Sequence, residues 1–318
     1  MRKPQSDLRI SVHAYQPRMK ESADDVAQLS EATRAGLAAY SLERIMGYGV
    51  DYADAVEFRA LILSGLEWKT AALRLADRCL AKGFPTVATR ITRLRRAAAL
   101  LRIGQTMMFE DTPERVEIYQ RATEYYKHAA ELAGNCEHLC LDTPNGPICG
   151  WLHPARGDAI AAVIVLGGVE GWAQDFSTIG DELAARGVDA IMLDAPGQGE
   201  TRFAHQHYLS TDWRRSLTPA VNYLQERSPS LPLGIVGNSM GGSLAMALAN
   251  DEERFAACVN SSGPFAPWLA PQDSPVFKKM MTMANAPTAE AAVEIFSTIT
   301  PVNPGINSHY KFLLMQGQ

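Results

Sequence analysis

The chain lacks the features that mark membrane and nucleic-acid-binding proteins. Its longest apolar run, around residues 159–169, is too short to cross a bilayer, and the first thirty residues contain no apolar segment of the signal-peptide kind. The formal net charge is -5, which provides no basic footprint for nucleic acid. With 47% hydrophobic and 20% charged residues, the composition is that of a globular protein. We therefore expect neither a membrane nor a nucleic-acid partner.

Cysteine is also scarce and irregularly spaced. The five cysteines are odd in number, and none forms a CxxC pair or has a histidine at metal-ligand spacing. We expect reduced thiols, a cytoplasmic location, no metal site and no cofactor. The cysteines are Cys79, Cys136, Cys140, Cys149 and Cys258.

Although the net charge is negative, five arginines cluster within a segment whose apolar spacing predicts a helix. We interpret this cluster as a solvated face or a contact with a partner helix, in preference to a polyanion site. Its members are Arg90, Arg93, Arg95, Arg96 and Arg102.

The chain has two halves of different character, with the change at Gly134. Residues 30–133 show apolar spacings of three and four, which predict helices over 67–82, from there to 101, and over 112–133. After Gly134, short apolar runs punctuated by glycine and proline alternate with amphipathic segments. The predicted division is a helical region at 1–134 and an α/β region at 135–318.

The second half predicts a mostly parallel sheet with helices on both faces, which is an α/β fold. Predicted strands cover 136–141, 148–153, 161–166, 188–193, 233–236, 255–259 and 311–316, the last as a core strand. Residues 143–146 are a hairpin turn signal. A segment at 264–305, rich in proline and methionine, is predicted to form a lid. Its methionines would either line an apolar pocket or attach a small helical excursion to the sheet.

The most informative motif places one serine between an apolar run and a helix-like segment. The run is Gly237-Asn238-Ser239-Met240-Gly241. Small residues on both sides of Ser239 let strand and helix pass closely around a strained serine backbone. This pattern predicts the nucleophile elbow of a serine hydrolase, at the carboxyl ends of the strands where ligands bind.

An oxyanion hole is predicted beside the elbow. One donor would be the backbone N–H of Met240, and the second would come from the glycine-rich loop after residues 161–166. We expect that second donor to be Val169, with Gly168 as the competing choice. Glu170 follows, either as a carboxylate that orients substrate or water or as a surface residue. The loop at 194–200 is expected to shape this edge.

Taken together, these motifs resemble the α/β-hydrolases related to 2,6-dihydroxypseudooxynicotine hydrolase, and the wider group of fermentation/respiration-switch esterases and fungal pigment chain-shortening hydrolases. The resemblance covers about residues 60–318. It implies an α/β-hydrolase fold, a serine triad that cleaves an ester or a carbon-carbon bond next to a carbonyl, and a helical region that caps the active site and supports a homodimer. The partner would be a small acyl or aromatic ketone or ester substrate.

The sequence departs from that pattern at the acid and base of the triad. In such enzymes an Asp follows the strand equivalent to 311–316 and a His lies near the C-terminus, so we expect the fold's C-terminal end to be missing here. A base recruited from His205 or His207 would be unconventional. The prediction is a serine-dependent hydrolase that forms an acyl-enzyme on Ser239. The alternative is a catalytically silent α/β-hydrolase-like module that binds a ligand or dimerises.

Overall fold

The computed structural model describes residues 29–81, 83–300 and 309–316. The N-terminal half is helical, as predicted. Five of its six described helices begin after a Ser, Thr or Asp that caps the N-terminus; Thr112, for example, accepts a hydrogen bond from the N–H of Arg115. The last of these helices ends at Gly134, whose φ of +61° suits glycine. The helices are α1 Glu31–Ala39, α2 Leu42–Gly47, α3 Tyr52–Leu63, α4 Trp68–Ala81, α5 Val87–Gln105 and α6 Pro113–Ala133.

Seven strands then form one sheet, in the order β1-β2-β4-β3-β5-β6-β7. The first two form a hairpin, β2 runs antiparallel to β4, and all the remaining neighbours are parallel. The strands are β1 Glu137–Leu141, β2 Ile148–His153, β3 Ala161–Leu166, β4 Val188–Asp194, β5 Leu233–Asn238, β6 Phe255–Ser261 and β7 Lys311–Met315. Every predicted strand is present, and the mostly parallel sheet confirms the predicted fold class.

Helices connect the parallel strands and cover the sheet. The main core is built from the sheet together with the helices beside it, while a second apolar cluster lies within α1 to α6. The helices of this half are α7 Ser177–Ala185, α8 Gly199–Phe203, α9 Trp213–Arg227, α10 Met240–Asp251, α11 Pro275–Met283 and α12 Ala289–Ser297. None of the helices in the described ranges is long and apolar enough to span a membrane.

The predicted lid segment contains α11 and α12, and its residues 301–305 lie outside the described residues. Met280 and Met283 are fully buried in the main core cluster, which holds the helices against the sheet. The methionines therefore attach this excursion to the core, as one of the two interpretations predicted. The division of the chain into domains stays a prediction.

The last strand differs from the prediction. We expected a core strand at 311–316, but among the described residues β7 pairs only with β6, at the edge of the sheet, and all five of its residues are exposed. The apolar residues Phe312 to Met315 produced the error, because an apolar run does not distinguish an interior strand from an edge strand whose faces are uncovered. Phe312, Leu313, Leu314 and Met315 remain 40–52% exposed.

The expectation of reduced thiols is wrong for two of the cysteines. Cys140 on β1 and Cys149 on β2 lie opposite each other in the hairpin register and form a disulfide. Cys79, Cys136 and Cys258 are free thiols. The hairpin brings the two sulfurs together although nine positions separate them in sequence.

The arginine cluster makes contacts within the chain. Arg96 on α5 forms a two-pronged ion pair with Asp54 on α3, with both N–O distances 2.6 Å. Arg102 is buried and donates to Asp175, in the segment that follows β3. These pairs match the predicted contact with a partner element, and they tie α5 to the rest of the protein.

Candidate active site

Ser239 lies in the tight turn between β5 and α10. Its backbone φ of 53° and ψ of -123° are in a sparsely populated region for a residue with a side chain. The flanking glycines are required by space: a Cβ at Gly237 would lie 2.0 Å from the Gly241 carbonyl oxygen, and one at Gly241 would lie 2.3 Å from that of Gly167. The turn is therefore held in a strained conformation that presents the Ser239 side chain at a helix N-terminus.

The glycine-rich loop after β3 reaches the same point, because β3 and β5 are adjacent parallel strands. A Cβ at Gly168 would lie 3.2 Å from Ser239 Cβ and 3.6 Å from Ser239 Oγ. The backbone N–H groups of Val169 and Met240 donate to no acceptor among the described residues. Both predicted donors thus belong to the turn or loop beside Ser239, and their role as oxyanion donors stays a prediction.

Gln198 holds this loop in place, a role that we did not predict. Its side chain is fully buried, and its Nε2 donates to the carbonyl oxygens of both Gly167 and Gly168 at 2.8 Å. Its Oε1 accepts from Ala195 N–H at 2.9 Å. A flipped amide would therefore place Oε1 against the carbonyl oxygens of Gly167 and Gly168, which cannot donate a hydrogen bond to it. In a trans peptide the N–H points opposite to the C=O. Fixing the Gly168 carbonyl therefore also fixes the direction of the Val169 N–H.

No base reaches Ser239 Oγ from the residues that the structure describes, since this hydroxyl makes no hydrogen bond there. His207 is buried and contacts the Pro147 carbonyl and Ser216, and burial lowers its pKa. His205 is exposed beside Glu200. Neither histidine lines the cavity that contains Ser239. His309 contacts the Glu252 carbonyl near the start of the last two strands, at the opposite end of the sheet.

A cavity of about 880 Å³ lies over Ser239, between the helical half and the sheet. Its walls come from α1, α2, the segment after α5, the loop after β3 and α11. Gly168 to Gly171, in the loop after β3 that we predict to be the oxyanion loop, line one wall, and α11 supplies another. The size suits a small organic ligand. Exposed residues at its mouth include Glu31, Arg44 and Lys278.

Glu170 is a buried residue of this cavity, contrary to the surface interpretation. Both of its carboxylate oxygens accept from Arg115 Nη2 on α6 at 2.9 Å, and the Arg115 side chain is fully buried. Lys279 Nζ on α11 lies 4.0 Å from the same carboxylate. Glu170 therefore connects the oxyanion loop to two cations. Its role in orienting substrate or water stays a prediction.

Lys279 and Tyr40 form the polar part of the opposite wall. Lys279 Nζ donates to Tyr40 Oη at 3.0 Å and to the Thr106 carbonyl at 2.6 Å. Burial lowers the pKa of Lys279 and raises that of Tyr40 to about 12. Tyr40 is accordingly a neutral phenol at physiological pH. No sequence pattern predicted this pair, since 239 positions separate its members.

Asp194, at the end of β4, supports the same edge of the sheet. It accepts from the N–H groups of Ala173 and Glu200. Complete burial raises its pKa to about 7, although these two hydrogen bonds act in the opposite direction. Asp194 joins the segment after β3 to the loop that carries Gln198.

One group of residues has the donor types of a metal site: Cys140, Cys149, Glu200 and His205. The two sulfurs are bonded to each other, so neither is a thiolate, which is the form that binds metal. Histidine and carboxylate alone remain. We assign no metal to this group.

Comparison with known proteins agrees with the fold. The family described as serine aminopeptidase, S33, matches residues 157–310. A curated relative, 2,6-dihydropseudooxynicotine hydrolase from Paenarthrobacter nicotinovorans, is 28% identical over 179 residues, which are 52% of this chain and 46% of the relative. The chain thus spans about half the length of that relative.

Solved structures extend the similarity to the helical half. A crystal structure of 2,6-dihydroxy-pseudo-oxynicotine hydrolase is 24% identical with a TM-score of 0.63, over 81% of this chain and 75% of that one. The structure of AbyA5 is 16% identical with a TM-score of 0.62, over 79% of this chain and 81% of that one. The chain therefore has the α/β-hydrolase fold and resembles 2,6-dihydroxypseudooxynicotine hydrolase.

Proposed function

We propose that the protein is a serine-dependent hydrolase of a carbonyl substrate that forms an acyl-enzyme on Ser239. The observation that carries this proposal is the strained Ser239 turn, which lines a cavity of about 880 Å³. The turn packs against a loop in which the Val169 N–H has no acceptor among the described residues. A turn of this kind costs free energy, and such strain is typical of functional sites. The matching family and the curated relative are hydrolases, which supports the same class.

The chemistry follows from these groups. Ser239 Oγ would attack the carbonyl carbon, and the N–H groups of Met240 and Val169, with Gly168 as the competing donor, would hold the resulting oxyanion. Collapse of the tetrahedral intermediate would release an alcohol or a carbon leaving group, which takes up the proton that the base removed from Ser239, and water would then hydrolyse the acyl-enzyme. The base that deprotonates Ser239 must come from outside the described residues.

Within this class, we propose a small acyl or aromatic ketone or ester as the substrate. The name of the curated relative supports a ketone with an aromatic ring, and aromatic residues in the cavity, including Tyr40, Phe109 and Phe176, are compatible with one. Ester cleavage and carbon-carbon cleavage share the first step. A panel of aryl esters and aryl diketones separates them, and turnover of peptides alone would argue against both.

A fluorophosphonate probe tests the proposal directly. We expect one equivalent of label on Ser239, identified by peptide mass spectrometry, and none in Ser239→Ala. Ser262→Ala is the matched control, because Ser262 lines the same cavity outside the elbow. Wild-type protein that stays unlabelled while correctly folded would contradict an activated nucleophile.

One observation favours a second candidate, a catalytically silent ligand-binding module. Ser239 Oγ has no acid or base beside it among the described residues, and loss of a triad base lowers the rate by several orders of magnitude. This candidate predicts ligand binding in the cavity without labelling of Ser239.

We also propose a homodimer and a cytoplasmic location. The dimer rests on the family resemblance, and light scattering of the purified protein tests it. The Cys140–Cys149 disulfide is unusual for the cytoplasm. Rapid alkylation of the protein in intact cells therefore tests the location: alkylated Cys140 and Cys149 would agree with a reducing compartment, and an intact disulfide would argue against it.

A further inference from the structure

One network of linked buried ion pairs beside the cavity contains more cations than carboxylates among the described residues. Three cations, Arg115, Arg202 and Lys279, are linked through two carboxylates, Glu170 and Asp111. All three cationic side chains are at most 9% exposed. With every group ionised, this connected network carries one excess positive charge. An uncompensated buried charge is expensive unless a counter-charge accompanies it.

Lys279 is the cation of the network that lines the cavity, and Glu170 is the carboxylate that lines it. Two of its ammonium hydrogens are directed to Tyr40 Oη and to the Thr106 carbonyl. The nearest carboxylate oxygen is that of Glu170, 4.0 Å away, which is beyond hydrogen-bond distance and already engaged by Arg115. The third hydrogen is therefore available to a ligand atom in the cavity.

The surroundings of Lys279 are aromatic. Its Nζ lies 5.5 Å from the ring centroid of Tyr40 and 5.4 Å from that of Phe109. Tyr48 and Phe176 line the same cavity. Flat apolar walls of this kind favour an aromatic or conjugated ligand by stacking and by excluding water. The low dielectric that they create also strengthens any ion pair formed with Lys279.

We propose that the cavity over Ser239 selects aromatic or conjugated carbonyl compounds that carry a single negative charge, with the anionic oxygen bound by Lys279. The excess of one positive charge matches a monoanion. This inference rests on the proposed function for the position of the carbonyl at Ser239, but binding of the anion does not depend on the reactivity of the serine.

The test is calorimetric binding of two probes that differ only in charge, 3-benzoylpropionate and its neutral amide, 3-benzoylpropionamide. The measurements are made in the Ser239→Ala background, which prevents turnover. A hydrogen bond to a charged group contributes about 1.5–3 kcal/mol, so we expect the anion to bind at least about tenfold more tightly than the amide. Lys279→Met should abolish this preference and leave affinity for the amide within about twofold.

Lys278→Met is the matched control. Lys278 is the neighbouring lysine and also lines the cavity, but it is exposed at the mouth, where solvent screens its charge. We expect the preference for the anion to persist in this variant. Lys279→Gln is a second variant should the methionine variant not fold, and retained binding of the amide reports an intact cavity in either.

Three results would overturn the inference: equal affinity for the two probes, an unchanged preference in the Lys279 variants, or no binding of either probe. Failure of the hydrolase proposal is a different result, because it is read from fluorophosphonate labelling of the unmodified Ser239. A protein that prefers the anion but resists labelling would be a silent module with the proposed ligand class.

Discussion

Replacement of Gln198 by methionine tests whether this side chain positions the oxyanion loop. Methionine has a similar length and is apolar, so it fills the buried space without the hydrogen bonds. Three polar groups lose their partner: the carbonyls of Gly167 and Gly168, and the Ala195 N–H. At about 1 kcal/mol for each buried group, the low end of the usual range, the unfolding free energy should fall by about 3 kcal/mol.

We also expect Gln198→Met to slow the reaction of Ser239 with the fluorophosphonate probe. With the Gly168 carbonyl released, the direction of the Val169 N–H is no longer fixed. Loss of one oxyanion donor typically costs about 100-fold or more in rate, and fluorophosphonate labelling of Gln198→Met should slow by about that factor. Gln198→Glu, as a buried neutral acid, keeps an acceptor and one donor, and should fall between the wild type and the methionine variant in both measurements.

Urea unfolding and the second-order labelling rate are the two assays. Gln225→Met is the matched control, because Gln225 on α9 also donates to a carbonyl but is only partly buried. Its unfolding free energy should change by less than about 0.5 kcal/mol. A Gln198→Met protein that unfolds and labels like the wild type would refute the positioning role.

Three further predictions concern the elbow, a buried carboxyl and the hairpin. Gly241→Ala places a Cβ 2.3 Å from an oxyanion-loop carbonyl, so the urea-unfolding free energy should fall by about 1–3 kcal/mol with loss of labelling; unchanged values would contradict the close packing. Burial raises the Asp194 pKa from 3.8 to about 7, so ionisation of this carboxyl destabilises the fold as pH rises through that interval. Relative to the wild type, Asp194→Asn should therefore gain at most about 4 kcal/mol of unfolding free energy from pH 4 to 7. Parallel curves of stability against pH for the two proteins would contradict the raised pKa. Reductant should lower wild-type stability by about 2–3 kcal/mol and leave Cys140→Ala/Cys149→Ala unchanged; equal sensitivity of both proteins would argue against the disulfide.

Strands buried on both faces were the easiest elements to predict. The strands Ile148–His153 and Ala161–Leu166 match their predicted bounds. A hairpin turn signal at 143–146 marked the first, and a continuous apolar run marked the second. The elbow was equally visible, since its glycines are required by space within a few residues of Ser239. Local steric requirements leave local sequence signals.

The disulfide was within reach of the sequence but was missed. The predicted hairpin turn at 143–146 is centred midway between positions 140 and 149, and a symmetric hairpin places these two residues opposite each other. Counting cysteines and searching for CxxC spacing did not use that register. Register, more than spacing, decides which cysteines meet across a hairpin.

The polar network around the cavity could not be predicted from one sequence. Glu170 meets Arg115 across 55 positions, and Lys279 meets Tyr40 across 239. Such pairs depend on how the helical half docks on the sheet, and no periodic pattern encodes that docking. Glu170 was the only member of the network that sequence reasoning singled out, because it adjoins the oxyanion loop.

The buried ion pairs between the two halves limit how a ligand can reach Ser239. Arg102–Asp175, Arg115–Glu170 and Arg202–Asp111 all join α5, α6 or the loop between them to the edge of the sheet. Swinging the helical half away as one lid would separate all three of these buried pairs. We therefore expect ligand exchange to proceed by smaller movements at the mouth, around α1 and α11. The kinetics of binding should respond to substitutions there and hardly at all to hinge mutations at Gly134.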